Sequence, residues 1–185
     1  MSILINPKSV NPRRTKNQSG FTIIEILVVV LMVGIVGAIA APTWIMFANR
    51  QKVRTVNDRV FNAIQEAQSR AQLTSLGRSL EFGEPRGIPA YRIYLTTTKD
   101  DELPDWQTLD VNGEINEGQI TLRVVAPGGD NILEFDHLGV VLNTIKEDDP
   151  FWVVVSSADN SVTHCVAVRT RLLSTQRLEG DDCNP

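Results

Sequence analysis

The chain has 185 residues, of which 18 are basic and 22 acidic, for a formal net charge of −4. That balance gives no electrostatic footprint for nonspecific binding to phosphate backbones. Neither common glycine-rich phosphate loop occurs, nor a Cys/His cluster at metal-ligand spacing, so the sequence implies no cofactor and no enzyme.

The first 20 residues hold four cations, Lys8, Arg13, Arg14 and Lys16, and no acid. From Phe21 to Ala41 only Thr22 and Glu25 are polar. At 1.5 Å per residue a helix over this stretch reaches about 31 Å, enough for a hydrocarbon core of roughly 30 Å. The basic leader predicts that residues 1–20 stay cytoplasmic and that everything after about residue 48 lies beyond the membrane. Glu25 stands out. A carboxylate at the bilayer centre costs roughly 2.5–3.5 kcal/mol, so an acid inside a span is a functional hypothesis by default. Its place near the end of the run lowers that cost but does not explain the charge.

Three readings fit this segment. It is an ordinary membrane anchor, a cleaved secretory signal with Ala38-Ile39-Ala40 as a small-x-small site before Ala41, or a prepilin signal. The third has a basic leader, then Gly20-Phe21-Thr22-Ile23-Ile24-Glu25, then an uninterrupted apolar helix. In that order the elements resemble the class III signal of type IV pilins and type II secretion pseudopilins. The resemblance implies cleavage after Gly20 by a prepilin peptidase and methylation of Phe21 as the new first residue. It also implies that Glu25 neutralises the terminal amine of a neighbouring subunit during assembly, since a buried charge is tolerable when paired. Pro42 fits the same family, in which a proline weakens the N-terminal helix. A proline inside a helix removes one backbone bond and kinks or locally melts it. The plainer reading of Pro42 is that it marks the membrane exit.

Removing the leader leaves 165 residues with 14 basic and 22 acidic, which suits one anchor helix and one globular domain. The helical pattern runs on past the membrane. Val53, Val56, Val60, Ile64, Ala67 and Ala71 recur at three- and four-residue steps, and Gly77 stands where a helix C-cap would. The helix is therefore expected over about 21–76, apolar all round and then amphipathic. Strands are expected at 80–82, 91–96, 106–111, 120–125, 132–135, 140–142, 152–155 and 165–169, separated by turn residues such as Pro127-Gly128-Gly129-Asp130. One long helix packed on a mainly antiparallel β-sheet is an α+β, pilin-like fold.

Ala63 to Ala71 followed by Ser79 to Phe82, and Ile132 to Val141, together with Cys165-Val166-Ala167-Val168, resemble the GspH/FimT group of minor pilins and pseudopilins. Cys165 and Cys183, an even pair in an exported domain, read as one disulfide. The alternatives are free thiols or a nucleophile assisted by His164, which strand alternation points to the opposite face. His137 and His164 are otherwise isolated. The acidic runs at 100–102, 147–149 and 181–182 read as solvated loops, with calcium as the alternative. Some FimT-type members are DNA receptors in natural transformation. Arg169, Arg171 and Arg177 occupy the corresponding region, but the family's glycine is absent and Glu179, Asp181 and Asp182 surround them. Nucleic acid is therefore not the expected partner.

The expected organisation is a cleaved leader over 1–20, a transmembrane and filament-core helix over 21–48, and an exported α+β domain over 49–185. The expected function is a structural minor pilin or pseudopilin, held in the inner membrane by a single pass. Its expected partners are prepilin peptidase, other pilin or pseudopilin subunits and the assembly machinery. The alternative is a membrane-anchored extracytoplasmic binding domain, with DNA reception as one form of it.

Overall fold

The computed structural model describes residues 20–110, 113–143, 145–146 and 148–185, with the backbone alone over 41–43. Among them one α-helix, α1 (Ile23–Thr74), precedes eight strands. These are β1 (Arg78–Gly83), β2 (Ala90–Leu95), β3 (Gln107–Thr108), β4 (Ile120–Val125), β5 (Ile132–Phe135), β6 (Phe151–Ser157), β7 (Thr163–Val168) and β8 (Thr175–Glu179). The strands form two antiparallel sheets, β3-β2-β1-β5 and β4-β6-β7-β8, where the sequence had suggested one. The chain divides into two compact units between Pro42 and Thr43.

Within the second unit the helix stripe is the organising feature. Val53, Val56, Val60, Ile64, Ala67 and Ala71 are all fully buried. They join one continuous core with Leu80 and Phe82 of β1, Leu133 and Phe135 of β5, and Phe151, Val153, Val155, Val166 and Val168 of β6 and β7. Each such side chain contributes roughly 1.5–3 kcal/mol when fully buried. Strands β6 and β7 are apolar on both faces, as strands covered on both sides tend to be. Their outward residues Trp152, Val154, Cys165 and Ala167 form a second, smaller cluster with Val125, Leu178 and Cys183.

Four sequence expectations change. The helix stops at Thr74, and the left-handed cap is Ser75 (φ 54°), not Gly77. The Leu76 amide donates to Ala71 O at 3.3 Å and the Ser75 amide to Gln72 O at 3.4 Å, the two bonds of a Schellman cap. Gly77 has another reason to be small: a Cβ there would lie 3.3 Å from Phe135 O.

The strand expected over 106–111 shrinks to Gln107–Thr108, with Val111 outside the described residues. The Trp106 ring lies instead over Gly83, where a Cβ would come within 2.7 Å of it, and 4.4 Å from the Arg92 guanidinium. Downstream, the Asp110 carboxylate accepts from the amides of Glu114 and Ile115, turning the chain away from β2.

The strand expected over 140–142 is a turn with a single bridge, Phe135 to Val141. Asp136 Oδ1 accepts from the Leu138 and Val140 amides at 2.9 and 2.8 Å. Gln68 and Gln72 of α1 donate to Gly139 O and Leu138 O at 3.0 and 3.1 Å, so the turn is bound to the helix. Finally β8 was not expected. It is an edge strand with mostly exposed, polar residues, which carry little strand signal.

The β6–β7 turn yields a pH prediction. Asp159 Oδ1 accepts from Ser157 Oγ at 2.6 Å, and from Ser161 Oγ and the Ser161 amide at 2.8 and 3.2 Å. These bonds, the Ser157 hydroxyl first, lower its carboxyl from 3.8 to about 2. A folded pKa below the unfolded one stabilises above the unfolded value and loses that contribution as pH falls towards the folded one. Asp159→Asn is therefore expected to flatten the loss of stability between pH 4 and 2, followed by circular dichroism in denaturant. An unchanged slope would contradict this assignment.

Candidate functional site

The N-terminal segment is built by a helix start. Gly20, Phe21 and Thr22 precede α1, and Thr22 is its N-cap. The Glu25 amide donates to Thr22 Oγ1 at 3.3 Å and to Thr22 O at 3.1 Å. Thr22-Ile23-Ile24-Glu25 is thus the capping-box pattern, with Glu25 in the first turn. A carboxylate there also meets the positive end of the helix macrodipole. This role of Thr22 and Glu25 was missed in the sequence reading, although a threonine followed three residues later by glutamate is a legible signal.

Beyond the cap, every side chain from Phe21 to Ala40 is exposed. The most apolar 18-residue window of α1 has a mean hydropathy of 2.9 and no buried residue. Among the described residues this is the one helix long and apolar enough to cross a membrane. A helix apolar all round is stable only when lipid or other helices cover it. Within this surface Glu25 is the sole ionisable residue from Ile23 to Asn49. Among the described residues its carboxylate has no hydrogen-bond or ion-pair partner. The backbone of Pro42 lies within α1, while its side chain falls outside what is described.

The remaining expected residues lie in the second unit. Cys165 of β7 and Cys183 are joined by a disulfide, with Cα atoms 5.7 Å apart. His164 points to the opposite face of β7, its Nδ1 3.6 Å from Glu179 Oε1. The three arginines do not converge. Arg169 lies over the Trp152 ring on the outer face of the second sheet, 5.9 Å from its centroid. Arg177 faces α1, pairing with Asp58 at 2.9 Å and stacking 4.7 Å from the Phe61 ring. Arg171 sits in the β7–β8 turn and donates from Nε to Val141 O at 3.0 Å. Each is engaged by its own fold, and no single cationic face results.

This geometry is what known proteins can be compared with. Residues 15–41 match the family described as the prokaryotic N-terminal methylation motif, the type IV prepilin signal. No curated protein matches the chain. Among solved structures it is similar to the minor pseudopilin EpsH from the type 2 secretion system of Vibrio cholerae, with a TM-score of 0.46 at 11% identity over 69% of this chain and 96% of that chain. A bare apolar helix start, continued by an amphipathic half packed on antiparallel sheets, is an α+β architecture. The methylation motif thus lies across the start of a long helix whose second half packs on two antiparallel sheets.

Proposed function

We propose that the protein is a minor pilin or pseudopilin, a structural subunit of a pilus or secretion filament. A prepilin peptidase would cut after Gly20, and Phe21 would become the methylated first residue. The subunit would wait in the inner membrane, its span over 21–48 and its α+β domain on the far side. Incorporation would transfer the apolar half of α1 from lipid to a bundle of like helices.

The observation that carries this reading is the unpartnered Glu25 carboxylate in an otherwise uncharged, fully exposed helix surface. Cleavage after Gly20 creates a cation, the Phe21 amine, four residues before it. In one subunit both charges sit at the helix start. In a bundle, the amine of one chain can reach the carboxylate of the next, and the pair offsets a desolvation cost that neither charge could bear alone. Pro42 would then be a point where the packed helix can give.

The test is a comparison of host cells with and without prepilin peptidase. With the enzyme, the shorter chain is expected in sheared surface filaments or cross-linked to other subunits. Without it, the chain should keep its leader and stay in the membrane fraction. Equal filament content in both strains would refute the proposal.

A further inference from the structure

The helix surface around the far end of the span, from Trp44 to Arg54, has no assigned role. Trp44 and Phe47 are 71% and 54% exposed, with ring centroids 6.0 Å apart. Arg50 and Arg54 are exposed and, at steps of three and four, continue the same face. On a helical projection Trp44 and Phe47 lie roughly 150° from the mean direction of the buried Val53, Val56 and Val60, facing away from the sheets, while Arg50 and Arg54 flank the stripe at roughly 90° and 130°, Arg54 bordering a cavity that His164, Arg177 and Glu179 also line. Lys52 does not belong to it, since its ammonium donates to Glu114 O at 2.7 Å.

Charge separates this stretch from the rest of the unit. Residues 43–57 carry three cations and no acid, whereas residues 58–185 carry 11 cations and 21 acids. An acidic domain thus stands on a basic, aromatic collar. Amphipathic aromatic rings concentrate at the headgroup level of bilayers, and guanidinium groups bind phosphate through paired hydrogen bonds. A helix face with rings at one end and cations at the other fits the transition from acyl chain to lipid phosphate.

We infer that Trp44, Phe47, Arg50 and Arg54 form an interfacial stripe that binds the lipid headgroup layer, the two rings at the acyl boundary and the two guanidinium groups on lipid phosphates. This rests on the reading that the apolar run before Pro42 spans the bilayer. The stripe then fixes the depth of the helix and holds the acidic domain off an anionic surface. Residues 58–185, with 11 cations and 21 acids, would otherwise be repelled by anionic phosphates.

The experiment reconstitutes the full chain into phosphatidylcholine vesicles, with and without phosphatidylglycerol, and reads Trp44 as the difference between wild type and Trp44→Phe. Bromine near the headgroup end of the acyl chains is expected to quench the Trp44 signal about twofold, and bromine near the bilayer centre much less. Arg50→Gln with Arg54→Gln should reduce the shallow quenching in phosphatidylglycerol vesicles, and should leave Trp44→Phe spectra unaltered. Release of the chain by alkaline carbonate overturns the spanning reading and the stripe with it. A retained chain whose Trp44 is quenched by aqueous iodide and not by shallow bromine overturns the stripe alone. Protection of Trp44 that appears only at high protein-to-lipid ratio would mean that a second copy covers the face, and overturns it too.

Discussion

Glu25→Val is expected to leave leader cleavage intact and to reduce filament incorporation by about tenfold or more, the effect of losing roughly 1.4 kcal/mol or more at an equilibrium step. The substitution makes the span more apolar, so membrane insertion should not suffer. What it removes is the single negative charge in the apolar half of α1. The neighbouring Phe21 amine would then enter the bundle unpaired, and an unpaired buried charge is costly. A companion variant separates two roles. Glutamine is as acceptable as glutamate at the capping-box position, so Glu25→Gln keeps the helix start while deleting the charge. Loss of incorporation in both variants assigns the effect to charge pairing. Normal incorporation of Glu25→Gln would show that the charge is dispensable and refute the pairing, and normal incorporation of Glu25→Val would remove Glu25 from assembly altogether.

The second large effect concerns the disulfide. Cys165 lies at the centre of β7, in the outer cluster with Trp152, Val154 and Ala167. Cys183 lies 18 residues on, past the edge strand β8 and a short 3-10 turn at Gly180–Asp182. The bond therefore holds the chain terminus over a patch of sheet that α1 does not cover. Closing a loop of this size contributes about 3 kcal/mol in the chain-entropy account. Replacing both cysteines, Cys165→Ala with Cys183→Ser, is expected to lower Tm by about 6–12 °C for a domain of this size. Trp152, 7% exposed, should at the same time become accessible to acrylamide. A Tm within about 2 °C of wild type would show that β8 and the outer cluster are held by their own packing instead.

Much of this fold could be read from residues because local pattern and tertiary demand agree. The α1 stripe repeats at helical spacing and every member is buried. Strands β4 and β5 fall on the expected residues, and β6 and β7 are continuous apolar runs that have few other uses. Disagreement comes where one side chain outweighs propensity. Trp106 gives up a strand position to cover Gly83 and stack on Arg92. Ser75 takes a left-handed conformation two residues before the glycine that would have adopted it freely. β8 was invisible because Gln176, Arg177 and Glu179 are polar, as an edge strand permits. The functional segment was legible as a motif, yet its physics was only half read. The motif accounts for the charge of Glu25, whereas the bond from its amide to Thr22 also makes it part of a helix start. Sequence proximity also gathered Arg169, Arg171 and Arg177 into a patch that strand alternation and a turn disperse.

The central claim is that this chain is matured as a prepilin, and one measurement addresses it directly: the mass of the N-terminal peptide of the protein recovered from its host. The account predicts a chain that begins at Phe21 and carries one methyl group on its amine. A chain beginning at Ala41, or one that keeps residues 1–20, would contradict it.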